Sequence, residues 1–190
     1  FTGALTGHDV EEGELPEGWG LASVGEIAEG GLFVDGDWVE KKDQDPDGGV
    51  RLTQLADVGE GNFRDRSDRW LRDDQAERLG ATYIENGDLL VARMPDPLGR
   101  CCRVPALETP AITAVDVAIL RIRKKNVLPD YVMWCLNSPV ARGSMMAVAS
   151  GTTRLRISRK NLSGIALPMP PLQEQERIVE ILEDQLSRLD

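Results

Sequence analysis

Apolar and polar positions change period several times along this 190-residue chain, and each change marks an element. The longest regular stretch is the last, PPLQEQERIVEILEDQLSRLD at residues 170–190, where Val179, Leu182, Leu186 and Leu189 recur at spacings of three and four. Ile178 and Ile181 widen that stripe. It is an a/d seam, the pattern of a helix laid along another helix. Pro170 and Pro171 suit a helix start, where the missing backbone donor has no intrahelical acceptor. Glu174 and Glu176 complement the positive end of the helix dipole. Two heptads equally fit an amphipathic helix docked on its own domain.

Shorter periods fill the rest. Residues 21–29 (LASVGEIAE) predict a short strand and a helical turn after a tryptophan anchor at Leu15-Pro16-Glu17-Gly18-Trp19. Asp35 to Gly49 reads as a surface loop rich in Asp and Gly. Arg51 to Leu55 alternates as a half-buried strand, and Gly59 to Asn62 is a turn. Asp73 or Asp74 caps a short helix closed by Gly80. Asn86-Gly87 turns into a strand over Asp88 to Met94, and a Pro-rich loop separates it from strands over 101–104 and 115–122. Two helices follow, from Pro129 to Asn137 and from Pro139 to Ala149, with Ser138-Pro139 as the cap and first turn of the second. Residues 151–158 predict an exposed turn and strand, and Leu162 to Leu167 a last strand. Short strands mixed with short helices and Gly/Pro loops predict an α/β (α+β) fold. Its parts are a linker over residues 1–14, a domain over 15–169, and the helix from 170.

Composition narrows the chemistry. Cys101, Cys102 and Cys135 match neither a disulfide framework nor a zinc spacing, which points to reduced thiols and the cytoplasm. The one histidine, His8, lies in a polar tail, against a Ser-His-Asp or Cys-His site. Asp43, Asp45 and Asp47 mimic the start of a calcium loop, but Gln54 stands where the bidentate Glu belongs. No metal or cofactor motif is present. Net charge is −10 but uneven. Residues 1–50 carry 13 acids and 2 bases, whereas residues 51–160 carry 13 acids and 18 bases. Between Asp130 and Glu174 there are no acids, only Arg142, Arg154, Arg156, Arg159 and Lys160. Screening over about 8 Å lets such a basic face coexist with an acidic tail. Solvated or locally paired arginines give the same pattern.

Three strings, in this order, then carry a resemblance. LPEGW at 15–19 with SVGEIAE at 23–29, GDLLVAR at 87–93, and SGTTRLRISRKNLSGIALPMPPLQEQERIVEIL at 150–182 are similar to the specificity subunit of type I restriction-modification systems. The chain resembles one target-recognition domain with the start of its spacer helix. Phe1 to Leu5 looks like the end of the preceding spacer, which makes this the second such domain. The resemblance implies a non-catalytic DNA-recognition subunit that reads half of a bipartite duplex target. It also implies methylation and restriction subunits as partners. The catalytic motifs of those partners are absent. Competing readings are an assembly module without base contacts and the recognition part of a single-chain restriction-methylation enzyme.

Base readout needs Arg for guanine, Gln or Asn for adenine and Thr for the thymine methyl; Lys and Arg neutralise phosphate. The candidates fall into three groups. The first is Thr152, Thr153, Arg154 and Arg156, with Arg159 and Lys160 for phosphates; the second is Thr53, Gln54, Asn62, Arg64 and Arg66; the third is Arg93 and Arg100. The bland alternatives are strand residues at 53–54 and self-pairing along Arg64–Asp65–Arg66–Asp68. In the family, spacer helices pair antiparallel. Val179, Leu182, Leu186 and Leu189 are therefore expected to form a helix-partner interface and to drive self-association.

Overall fold

The computed structural model describes residues 4–8, 11 and 14–188. The chain runs β1 (Gly20–Ser23), α1 (Val24–Ile27), β2 (Leu32–Asp35), β3 (Val50–Thr53), β4 (Arg69–Leu71), α2 (Asp73–Leu79), β5 (Leu89–Ala92) and β6 (Cys101–Arg103). It continues with β7 (Ala111–Thr113), β8 (Val117–Arg121), α3 (Pro129–Asn137), α4 (Pro139–Val148), α5 (Arg159–Ser163), β9 (Ala166–Met169) and α6 (Leu172–Ser187). This is the expected α/β mixture.

A four-stranded antiparallel sheet, ordered β2-β8-β5-β6, forms the centre. Every residue of β5 is buried, because this strand is covered on both faces. Leu89 and Val91 point to one core with Tyr131, Val132 and Leu136 of α3, while Leu90 and Ala92 point to another with Val58, Ile84 and Ala111. That is why its sequence is a continuous apolar run rather than an alternation. Each large side chain so buried contributes about 1.5–3 kcal/mol. A second sheet, β4-β3-β7, pairs β3 with β4 antiparallel and with β7 parallel, and buries Val50, Leu52, Leu71 and Ile112 against Ala76 of α2. β1 and β9 form a separate antiparallel pair.

Ser23 and Glu26 cap α1 reciprocally. Ser138 ends α3 and caps α4, as Ser138-Pro139 predicts. Gly80 closes α2 in the left-handed conformation, though its N-cap is Arg72 and not an aspartate. β4, β7 and α5 are not foreseen by the hydrophobic pattern, since strands of three residues hold too little periodicity to register. The predicted strand at 151–158 is instead a loop closed by one bridge, Ser150 to Arg156.

The final helix corrects the seam. Ile178 and Val179 are buried in the main core and Leu182 packs against it. Gln175, fully enclosed, accepts from Leu128 N at 2.8 Å and donates to the carbonyls of Asn126 and Pro170 at 3.0 and 2.9 Å. The first half of α6 therefore docks on its own domain. Val179 is buried in its own domain, Leu182 is half-buried against it, Leu186 is exposed, and Leu189 lies outside the described residues. The expectation of exposed apolar surface thus shrinks to Leu186 and the open part of Leu182 among the described positions. Beside the start of α6, Thr6 donates to Glu174 Oε1 at 2.6 Å, His8 Nε2 lies 2.6 Å from the same oxygen, and Trp19 Nε1 donates to Oε2 at 3.0 Å. The incoming segment and the outgoing helix therefore meet at one carboxylate.

Candidate nucleic-acid interface

Strand register gathers the candidate loops at one end of the fold. β2 and β5 finish, and β8 and β6 begin, at the same end of the central sheet, since Asp35 pairs with Ala118, Ala92 with Val117 and Val91 with Cys101. The second sheet shares that end: Thr53 pairs with Thr113, and the next residue, Ala114, bridges to Asp37. Residues 36–38, 54–67, 93–100, 114–116 and 150–157 all emerge there. All three candidate groups reach this end.

The loop over 150–157 is a narrow protrusion. Ser150 and Arg156 exchange both backbone hydrogen bonds, at 2.9 and 2.8 Å, leaving Thr152, Thr153 and Arg154 exposed at the tip. Gly151 makes the turn possible, with φ +118° and no room for a Cβ, which would lie 2.2 Å from the Arg154 carbonyl. Arg156 is half-buried, donating to Val115 O at 3.2 Å and pairing with Asp116 at 3.2 Å. Arg159 is exposed, donating to Phe33 O and facing Asp35 at 3.7 Å.

The loop over 54–67 is built around Asp57, a carboxylate with no exposed surface. It accepts from the backbone N–H groups of Gln54, Arg66 and Ser67 at 2.7, 2.6 and 2.7 Å, and Arg51 lies 3.5 Å away. Gly61 turns beneath Trp134, where a Cβ would lie 2.4 Å from the indole. Asn62, Arg64 and Arg66 stand exposed, and Gln54 is half-buried. Self-pairing does not occur: Asp65 pairs with Arg51 and Asp68 with Arg69. Arg64, Arg66, Arg154 and Lys160 make no ion pair with any other described residue, whereas Arg142, Arg156 and Arg159 face Glu60, Asp116 and Asp35.

Three candidates are internal. Thr53 is fully buried and donates to Ile112 O at 3.0 Å across the β3–β7 pair. Arg93, 6% exposed, donates to Ile157 O and Val115 O at 3.1 Å each and pairs with Asp35 at 2.7 Å. Arg100, 5% exposed, donates to Val58 O, Leu55 O and Pro97 O at 2.7, 2.7 and 3.1 Å. Burial lowers the pKa of both guanidinium groups; Asp35 opposes the shift at Arg93. Both remain cations at neutral pH. Side chains so enclosed cannot reach a base edge, and the expectation of base contact by Thr53, Arg93 and Arg100 is corrected to internal bracing.

Sequence reasoning missed Asp57 and Trp38. Trp38 is 70% exposed just beyond β2, on the same end as the loops. A large aromatic within an Asp/Gly-rich loop is its only sequence signal. Asp43, Asp45 and Asp47 do not converge: Asp43 accepts from Gln75 Nε2, and Asp45 from the Asp47 amide. No group of His, Cys, Asp or Glu among the described residues is arranged to hold a metal ion.

An α/β scaffold that presents polar loops at one sheet end, with its incoming and outgoing segments side by side, defines a loop-presenting domain. The chain belongs to the type I restriction modification DNA specificity domain family, whose model matches residues 16–189. It is similar to the EcoKI specificity subunit of Escherichia coli K12, with 27% identity over 146 residues that cover 75% of this chain and 31% of that protein. The putative MjaX specificity subunit of Methanocaldococcus jannaschii is 21% identical over 92% of this chain and 41% of its own length. Among solved structures, the HsdS subunit of Thermoanaerobacter tengcongensis has the same fold, with a TM-score of 0.66 and 23% identity over 98% of this chain and 42% of that one. A structure from a study of complex assembly in the type I R-M system gives a TM-score of 0.70 at 22% identity, over 93% of this chain and 40% of that one. The chain thus spans between 31% and 41% of the length of these curated relatives.

Proposed function

We propose that this chain is a non-catalytic DNA-recognition domain that reads one half of a bipartite duplex target, within the specificity subunit of a type I restriction-modification complex. Its partners are the methylation subunits and the restriction subunit of that system, and its place of action is the cytoplasm, where the DNA is. Among the described residues no helix is long and apolar enough to cross a membrane. Residues 15–169 form the recognition domain, and the helix from 170 begins the spacer that holds it to the rest of the subunit.

The observation that carries this reading is the set of exposed, unpaired cations on two braced loops at one end: Arg64, Arg66 and Arg154, accompanied by Asn62, Thr152 and Thr153. Unpaired surface arginines retain their donors for a partner, and a bidentate Arg–guanine contact contributes about 1–3 kcal/mol of discrimination. Lys160 and Arg159, at the start of α5, are placed for phosphate.

The test compares two duplexes, one carrying the host motif that the system methylates and one with that motif scrambled. Arg154→Ala weakens binding to the first by about 1–3 kcal/mol more than to the second. Equal losses on both make Arg154 a phosphate contact, and no loss on either removes it from the interface. An assembly module without its own DNA contacts would bind neither duplex in a salt-dependent way.

A further inference from the structure

We propose that Arg93 and Arg100 are positioning residues, each fixing one of the two reading loops, so that the domain reads its half-site as two separately adjustable blocks of bases. The inference rests on the base-reading function proposed above.

The two arginines stand at opposite ends of one hairpin connection, Arg93 just after β5 and Arg100 just before β6. Their partners do not overlap. Arg93 serves the 150–157 loop: its side chain donates to Ile157 O and its own carbonyl accepts from Ile157 N at 3.0 Å, while its side chain also meets Val115 O and Asp35 and its backbone N–H donates to Asp116 O at 2.9 Å. Arg100 serves the 54–67 loop through Leu55 O and Val58 O, with Pro97 O as its third acceptor. Among the described residues Arg93 makes no hydrogen bond to the 54–67 loop, and Arg100 makes none to the 150–157 loop. The ion pair Arg142–Glu60 links the 54–67 loop to α4 and not to residues 150–157.

The choice of arginine follows from the acceptors. Each guanidinium satisfies carbonyls from separate segments at once, which its planar fork can do and a lysine ammonium on a flexible stem cannot. Removing the fork leaves buried carbonyls unpaired at the root of one loop, so that loop alone loses its set position. The two guanidinium groups share no acceptor, so loss of one leaves the carbonyls of the other served. Each loop also has a second brace. Asp35 backs Arg93, and Asp57 gathers the backbone donors of Gln54, Arg66 and Ser67.

The experiment is selection from a random-sequence duplex DNA pool by the full-length subunit assembled with its partner subunits. Replacing residues 152–154 with serines defines the first block of preferred bases, and replacing residues 62–66 with serines defines the second. Arg93→Lys lowers preference about tenfold across the first block and leaves the second intact; Arg100→Lys does the reverse. Asp35→Asn and Asp57→Asn repeat the two patterns, and they decide the matter if a lysine variant does not fold by circular dichroism. Affinity for the unselected pool stays unchanged in the folded lysine variants, whose charge is that of the wild type, which loss of global structure would not allow. The inference is overturned if the two arginine variants erode the same positions, or if folded variants erode none. A wild-type protein that enriches no motif overturns the base-reading function itself, and the inference with it.

Discussion

Pairing separates the cations of this domain into two kinds. Arg93, Arg100 and Arg156 have carbonyls or carboxylates to serve; Arg64, Arg66, Arg154 and Lys160 have no ion pair among the described residues. The side chains proposed to face DNA are therefore distinguished by contact, which a sequence does not display. GDLLVAR advertises Arg93 as strongly as GTTRLR advertises Arg154, yet one is internal and the other stands at a loop tip. Lys160→Ala is expected to weaken binding to all duplexes alike and to reduce the salt slope by about 1, as measured by titration at several salt concentrations. Asp57→Ala strands three backbone donors in the interior and is expected to cost about 3 kcal/mol in chemical denaturation. The cysteines are chemically quiet. Burial pushes Cys101 well above the usual thiol range, and Cys102 and Cys135 up to about 12. A thiol reagent at mildly alkaline pH should leave all three unlabelled until the protein is unfolded.

Elements with a clear period or cap were legible in the sequence. β5 showed as an apolar run, α4 through Ser138-Pro139, and α2 through Gly80. β4 and β7, three residues each, exist because β3 lies between them, a non-local cause that local patterning does not carry. α6 shows the same limit. Its seam is real, but Ile178, Val179 and Leu182 spend it on their own domain. Ile178→Ala is expected to cost about 2–5 kcal/mol. Leu186→Ala, at a side chain 41% exposed, should change denaturation stability by less than about 0.5 kcal/mol.

The start of α6 also has a pH response. Burial pushes the Glu174 carboxyl up, but hydrogen bonds from Thr6, Trp19 and His8 outweigh it and hold the pKa below the ordinary 4.5. A carboxyl held low stabilises the fold above its unfolded value and loses that contribution as pH falls through the folded one. Hydrogen-exchange protection of residues 4–8 should therefore decline between about pH 5 and about pH 3, and Glu174→Gln should abolish the decline.

Across the whole molecule, charge is divided by segment. A chain of net −10 is an unpromising ligand for DNA until its acids are located: the first 50 residues hold 13 of them, and the stretch from Tyr131 to Gln173 holds none. The acid-free stretch supplies α4, the 150–157 loop and the start of α5; Arg142, Arg156 and Arg159 there meet Glu60, Asp116 and Asp35 from other segments, and Arg154 and Lys160 make no ion pair with any described residue. The family likeness, the gathered loops and this charge division support the same account, that the domain contributes half of a DNA specificity. The most direct measurement is the map of methylated motifs in the host genome with the gene intact, deleted, and carrying serines at residues 152–154. Deletion should erase one bipartite motif, and the loop replacement should relax one half of it while leaving the other half unchanged. A methylation map that is identical in all three strains would contradict the account.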